Sequence, residues 1–464
     1  MTISSQEHPT SSVKLSDADL PDLAQRIVRR AIERGASGAE CIIRDGREFS
    51  ATVRLGEVES LKEAGGKGLG IRVFRGQKTA STYTSDFAWP AVDQMIDAAL
   101  AMAELASDDP FAGLPDPQDL GQLATDLQLY SPLTTQVTTE EAIAMARRAE
   151  RAALDRDPRF TNSDGASFDS GESRKILANS LGFLGEYRRS SCSLSVVPIA
   201  SENGRMQRDY WYSIARDPGQ LDAPEEVGRI AAERTLRRLG GRKIATTRVP
   251  ILFEPQVARS IIDHVFQAAN GEAIYRSASF FNGKLGEVVA HPGVTIVDDS
   301  TLPGRPGSSP FDGEGVRTRR TPIVTAGRLE NYLLNTYTAR KLGMRTTGNA
   351  SRGLTGNPGV GAGNLWLEPG QRSPQEMIAD LPQGFYVTEL IGFGINMVTG
   401  DYSRGASGIW IENGQLTFPV EEVTIAGNLG EMLRHLSGIG NDLVFRTAAS
   451  SPTILIEGMT VAGA

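Results

Sequence analysis

The chain of 464 residues is 40% hydrophobic and 22% charged, an ordinary globular composition with enough length for two or three domains and a large core. Its formal net charge of −8 argues against a broad nucleic-acid footprint, which needs a basic face. No apolar run reaches the roughly 18–20 residues of a membrane helix, and the two cysteines, Cys41 and Cys192, lie too far apart in sequence to suggest a disulfide framework.

Residues 1–15 are polar and rich in Ser and Thr and read as a mobile tail. They lack the charged n-region and apolar h-region of a signal peptide, so a reducing cytoplasm is the expected location. Ser16-Asp17-Ala18-Asp19 opens an amphipathic helix to about Arg34, with Leu20, Leu23, Ile27 and Ala31 on one face and Gly35 as its stop. Short strands follow over Ala39–Arg44, Phe49–Leu55, Leu69–Phe74 and Ala80–Thr84, separated by turns such as Asp45-Gly46 and Arg75-Gly76. A helix from about Trp89 to Ala106 closes the unit.

Ser107–Gly121 is rich in Asp, Pro and Gly and reads as linker. A second helix-bearing unit begins at Thr138-Thr139-Glu140-Glu141. Strands are expected at Arg174–Ala178, Gly185–Arg188, Ser193–Pro198 and Arg208–Ile214, and a helix from Ala223 to Leu239 ends at Gly240-Gly241. Beyond it, strands and Gly-rich loops dominate, in keeping with the 50 glycines of a turn-rich β structure. The divisions are a tail (1–15), an N-terminal α+β domain (16–106), a linker (107–137), a central α+β domain (138–241) and a C-terminal domain (242–464). The fold class is α+β, with α/β units followed by a mainly β C-terminal domain.

The C-terminal part opens with a strand, Val249–Phe253, that runs into a helix with Pro255 in its first turn and Gly271 past its end. On a helical wheel Val257, Ala258, Ile261, Ile262, Val265, Phe266 and Ala269 form the apolar face. Ser260, Asp263 and Gln267 lie opposite, with Asp263 and Gln267 four residues apart. His264 borders both faces and reads as a packing or hydrogen-bonding residue. The chain has four histidines (His8, His264, His291 and His435), and their spacing brings no pair together. No G-x-S-x-G elbow occurs, and the cluster Gly65-Gly66-Lys67-Gly68-Leu69-Gly70 lacks the Lys-Ser/Thr ending of a phosphate loop. Asp298-Asp299 and Asp312-Gly313-Glu314 are acidic pairs of a kind that can bind a hard cation or act as acid and base. Turn capping through backbone N–H groups is the better reading of them.

Several blocks resemble one family in order and spacing. They are E-S-L-K-E-A-G-G-K-G-L-G-I-R-V-F (59–74), S-F-F-N-G-K-L-G from Ser279, L-L-N-T-Y-T-A-R-K-L-G (333–343), G-F-G-I-N-M-V-T-G-D-Y-S-R-G-A-S-G (392–408) and P-T-I-L-I-E-G-M-T-V-A-G (452–463). The family is TldD/PmbA, a family of metallopeptidases with an older name referring to modulation of DNA gyrase. In its TldD branch the helix carries H-E-x-x-x-H, and a cysteine near the C-terminus completes the metal site. Counting back from Ser279, the motif falls on Ile262-Asp263-His264-Val265-Phe266-Gln267, so Ile262 and Gln267 stand where the ligand histidines are expected. The matching C-terminal stretch, Gly438-Ile439-Gly440-Asn441-Asp442-Leu443, has no cysteine.

The chain therefore resembles the PmbA (TldE) branch. The resemblance implies a non-catalytic subunit with no catalytic residue, metal or cofactor of its own. It also implies a TldD-like catalytic subunit carrying zinc as partner in a dimer, and an unfolded or extended peptide as substrate, with no contact to membrane or nucleic acid. Ile262, Asp263 and Gln267 mark the degenerate metal site, and His264, Asp298, Asp299, Asp312 and Glu314 are candidates for contact with peptide or partner. Two other readings stay open: an independent hydrolase with a carboxylate site, and a homodimeric peptide-binding module.

Overall fold

The computed structural model describes residues 19–463, so the tail at 1–15 and His8 lie outside the described residues. The first half is built as α1 (Leu20–Glu33), β1 (Gly38–Arg54), β2 (Glu57–Arg75), β3 (Lys78–Thr84), α2 (Trp89–Leu105), α3 (Thr139–Leu154), β4 (Phe160–Asn179), β5 (Leu184–Glu202), β6 (Arg205–Arg208), β7 (Trp211–Ala215) and α4 (Pro224–Leu236). All seven strands belong to one antiparallel sheet, in the order β3-β2-β1-β4-β5-β6 with β7 also on β5.

Several expected breaks are absent. Asp45-Gly46 is not a turn but the middle of β1, where Asp45 pairs with Lys67 on one side and Arg174 on the other. Opposite charges directly across two ladders favour that register. Gly46 allows close approach, since a Cβ there would stand 3.0 Å from the Glu172 carbonyl oxygen. Gly185–Arg188 and Ser193–Pro198 likewise form one continuous strand, β5, whereas Arg208–Ile214 is interrupted at Asp209-Tyr210. The expected turn at Arg75-Gly76 is present between β2 and β3, and further hairpin turns lie at Leu55-Gly56 and Asn203-Gly204, where both residues have positive φ (51° and 82°; 52° and 78°) and so suit the twist of the flanking strands.

Two apolar cores sit at opposite ends of this sheet. At one end α1 and α2 cover Cys41, Ile43, Leu69, Ile71 and Val73. At the other α3 and α4 cover Ala51, Val53, Phe168, Leu194 and Val196. Between them the middle of β1, from Arg44 to Ser50, is exposed or half-buried. Cys41 and Cys192 are free and buried, and burial pushes both thiols up to about 12, which removes their nucleophilic form at neutral pH.

The second half continues with β8 (Thr247–Phe253), α5 (Pro255–Ala269), α6 (Gly271–Tyr275), β9 (Ile296–Asp299), β10 (Arg320–Thr325), β11 (Arg328–Leu329), α7 (Thr336–Leu342), β12 (Ala350–Ser351), β13 (Gly359–Val360) and β14 (Leu365–Leu367). It closes with α8 (Pro374–Ala379), β15 (Gln383–Ile395), β16 (Asp401–Glu412), β17 (Gln415–Asn428), α9 (Leu429–Arg434), β18 (Leu436–Ile439), β19 (Ala449–Ser450) and β20 (Ile454–Ala462). One sheet runs β17-β16-β15-β8-β20-β18, and pairing of β17 with β20 closes it into a ring. A second runs β11-β10-β9-β14-β19. The apolar face of α5 (Ala258, Ile261, Ile262, Val265, Ala269) packs into the core shared by both sheets. The fold is α+β with a strand-dominated C-terminal half. No helix among the described residues is long and apolar enough to cross a membrane.

The halves meet through an apolar cluster, in which Phe311 packs on Ile42, Leu177, Phe183 and Tyr187, and through polar groups. Glu40 on β1 is fully buried and forms ion pairs with Arg352, which follows β12, and with Arg72 on β2 at 2.6 Å. Arg72 also lies 3.8 Å from Glu314. The Gly-rich stretch of β2 is a docking surface for the loop after Arg352. A Cβ on Gly68 would overlap the Leu354 side chain, and one on Gly70 the Leu354 carbonyl.

Candidate functional site

The polar face of α5 opens onto a cleft of about 600 Å³. Gln256, Arg259, Ser260 and Asp263 supply one wall. Arg208, Asp209 and Tyr210 supply another with Arg234 and Arg238, and Thr388, Glu389, Leu390 and Arg404 from β15 and β16 complete it. A second cleft of about 450 Å³ adjoins it across Gln256 and Arg259, bounded by Trp211, Tyr212, Tyr386, Asn441 and Asp442. The two stretches singled out by the resemblance thus border a groove of two adjoining clefts, Asp263 on the first and Asn441 and Asp442 on the second. In that groove Asp442 is held by the Thr453 N–H (2.9 Å) and hydroxyl (2.7 Å).

Of the three degenerate-site residues only Asp263 faces this space. Ile262 is fully buried in the core, and Gln267 is exposed away from the cleft. Burial raises the Asp263 carboxyl above its ordinary range against the pull of Arg259. His264 is 8% exposed, its ring edge-on to Tyr402 at 6.2 Å, and neither nitrogen has a hydrogen-bond partner. Burial and the neighbouring Arg404 charge lower it to about 4, so it is a neutral packing residue at neutral pH.

The donor set does not fit zinc. One half-buried carboxylate stands beside an apolar side chain, and no group of three His, Cys, Asp or Glu able to hold a metal occurs among the described residues. His291 and His435 are both exposed, and the His291 Nδ1 accepts from the Gly293 N–H at 3.1 Å.

His264, Asp298, Asp299, Asp312 and Glu314, the candidates for contact with peptide or partner, are buried: none is more than 8% exposed in this chain. Asp298 accepts from the Asn349 amide and the Gly363 N–H, both at 2.7 Å. Asp299 accepts from the Thr301 N–H (2.7 Å) and hydroxyl (2.6 Å). Asp312 takes the N–H groups of Glu314, Val316 and Ala350 at 2.8, 3.0 and 2.9 Å. Glu314 takes that of Thr336 at 2.9 Å. These carboxylates brace loops, and none lines the groove.

Burial pushes Asp298 up to about 7, against its two donors. The folded chain then keeps this proton to higher pH than the unfolded chain, whose aspartates titrate near about 4. Stability is untouched by the group below about pH 4, falls as pH rises from about 4 to about 7, and levels off above. Asp298→Asn removes the titration, and melting temperature measured between about pH 5 and 8 should fall less steeply in the variant than in the parent. Parallel profiles would refute this assignment.

The sequence reading missed the arginines. Arg208 comes from β6, Arg234 and Arg238 from α4 and the turn after it, Arg259 from α5 and Arg404 from β16, and the only local signs of them were the Arg234–Arg238 and Arg259–Asp263 spacings. Arg208 pairs with Asp164, Arg238 with Glu389, and Arg234 with Glu254 at 2.8 Å and Asp209 at 3.4 Å.

The chain matches the PmbA/TldA metallopeptidase models over residues 39–103 (domain 1), 132–239 (central domain) and 246–463 (C-terminal domain). It is 40% identical over 429 residues to the metalloprotease PmbA of Escherichia coli O157:H7, covering 92% of this chain and 93% of that one. It is 36% identical over 458 residues to the metalloprotease PmbA homolog of Haemophilus influenzae, covering 98% and 99%. Among solved structures it is similar to a proposed modulator of DNA gyrase from Bacteroides thetaiotaomicron, with a TM-score of 0.90 and 28% identity over 97% of this chain and 100% of that one. It shares a fold with TldE from Thermococcus kodakarensis, with a TM-score of 0.85 and 21% identity over 95% and 100%.

Proposed function

The chain belongs to the PmbA/TldD metallopeptidase family, and on that footing we propose that it is the TldE-type, non-catalytic subunit of a two-chain peptidase. The observation that carries this reading is the state of α5. The helix keeps its place beside a groove, but Ile262 belongs to the core, Gln267 points away and Asp263 stands alone. A TldD-like partner would supply the zinc centre, and this chain would supply part of the wall that holds an extended peptide.

The groove suits that task. From Thr388 onward β15 pairs only with β16, because its ladder with β8 ends at Val387. Thr388, Glu389 and Leu390 line the cleft beside that unpaired edge, where an extended chain can add main-chain hydrogen bonds with little sequence preference. Of the carboxylates behind the independent-hydrolase reading (Asp263, Asp298, Asp299, Asp312 and Glu314), only Asp263 lines the cleft, and the other four brace loops.

Co-expression with a family member bearing intact H-E-x-x-x-H tests the proposal. The expected results are a complex of the two chains, zinc only when that member is present, and peptide cleavage that needs both. Stoichiometric zinc and cleavage by this chain alone would sink it.

A further inference from the structure

We propose that the cleft between α5 and the β15–β16 hairpin is a carboxylate-binding subsite, with Arg259 and Arg404 as its two anchors. Three of the five cleft arginines already face carboxylates: Arg208, Arg234 and Arg238. Among the described residues, Arg259 and Arg404 have none within ion-pair distance. The Arg259 Nε donates to the Gln256 carbonyl at 3.1 Å, and its Nη1 to the Thr447 hydroxyl at 3.4 Å, both neutral acceptors. Arg404 is half-buried; its guanidinium neighbours the Tyr402 hydroxyl, and its buried Nε has no acceptor among the described residues. A half-buried guanidinium without a counter-ion is partly desolvated and unpaired, and an anion entering the cleft supplies the missing partner.

The nearest internal candidate, Asp263, lies one helical turn from Arg259, yet burial raises its carboxyl and weakens it as a permanent counter-ion. The planar forks of Arg match a carboxylate. A phosphate dianion is disfavoured, because Asp209, Asp263 and Glu389 line the same walls.

This inference rests on the peptide-binding reading, since the subsite lies beside the open edge of β15. A carboxylate can reach it from a peptide's C-terminus or from an Asp or Glu side chain. The test uses the full chain and a short, N-terminally labelled peptide of Ala, Val and Thr, read by fluorescence anisotropy. Its arms are the free acid, the C-terminal amide, and the amide with one internal Asp. At least one carboxylate-bearing arm should bind about tenfold or more tightly than the plain amide. Preference for the free acid alone identifies the terminus, and equal binding of the Asp-containing amide identifies the side chain.

Arg259→Gln and Arg404→Gln should each bring the acid to within about threefold of the amide. Arg404→Lys should retain an intermediate preference, and Arg320→Gln, outside the cleft, should retain it fully. Folding of each variant is checked by circular dichroism. Equal binding of acid and amide overturns the subsite while leaving peptide binding intact. Absence of binding in every arm overturns both, and assembly with the H-E-x-x-x-H chain is then judged separately.

Discussion

Glu40→Gln is expected to destabilise the folded chain by about 3–5 kcal/mol, the usual consequence of removing one partner from a buried ion pair. Glu40 and Arg352 are both fully buried, and Arg72 is 6% exposed at its side chain. Without the Glu40 charge, two guanidinium groups share one carboxylate, Glu314, which stands 3.8 Å from Arg72. Glutamine keeps the volume, so the loss reports unpaired charge rather than a cavity. The measurement is urea unfolding followed by tryptophan fluorescence and circular dichroism together, because two halves can unfold separately. Replacing Glu40, Arg72 and Arg352 together by apolar residues of similar size, with Glu314→Gln so that no carboxylate is left buried without Arg72, should recover most of the loss. A combined variant no more stable than Glu40→Gln would show that the charges are not the cause, and a single-variant loss below about 1 kcal/mol would refute the expectation outright.

Gly70→Ala is expected to cost about 3 kcal/mol and to expose the loop around Leu354 to protease. The added Cβ would overlap a main-chain oxygen, which cannot rotate away as a flexible side chain would. The loop must lift from β2, and Arg352, two residues earlier, moves with it. Limited proteolysis between Arg352 and Pro358, quantified against time, should show faster cleavage than in the parent. Gly66→Ala serves as control, since a Cβ there meets nothing within 4 Å. The Gly70 and Glu40 substitutions act on one interface, so their effects in a double variant should fall short of their sum by about 1 kcal/mol or more. Unchanged cleavage in Gly70→Ala would mean that the loop has room the packing denies it.

Much of the fold was legible because local signals agreed with the tertiary answer. Pro255 and Gly271 bracket α5, and its wheel separates Ile262 in the core from Asp263 beside the cleft. The run of helices and short strands in the first half and of strands and Gly-rich loops in the second pointed to the α+β architecture as a whole. The sheet of the first half was less legible. Asp45-Gly46 has the composition of a turn, but two flanking ladders and the opposed charges of Lys67 and Arg174 hold it extended. The glycines at 65–70 show no phosphate chemistry, and Gly68 and Gly70 serve a contact with Leu354, almost three hundred residues away in sequence, which no local pattern encodes. The arginine cleft was illegible for the same reason. It is assembled from α4, α5, β6 and β16, and each arginine alone looks like an ordinary surface charge.

The bare middle of the long sheet has a mechanical consequence. β1 and β4 are 17 and 20 residues long, more than about 50 Å at about 3.3 Å per residue. Their helices grip only the ends, and near Arg44–Ser50 no apolar layer resists a change of twist. The ribbon is therefore a torsion bar. A small change in twist at each residue, spread over this span, rotates one helix pair against the other with every ladder hydrogen bond kept. Both ends are tied to the C-terminal half, one through Glu40 and Arg352 and the other through Arg234 with Glu254, Arg238 with Glu389 and Gln207 with Glu421, so winding of the ribbon works against those ties, and they set the spacing between the lip formed by β6 and Asp209 and the lip formed by Arg259 on α5.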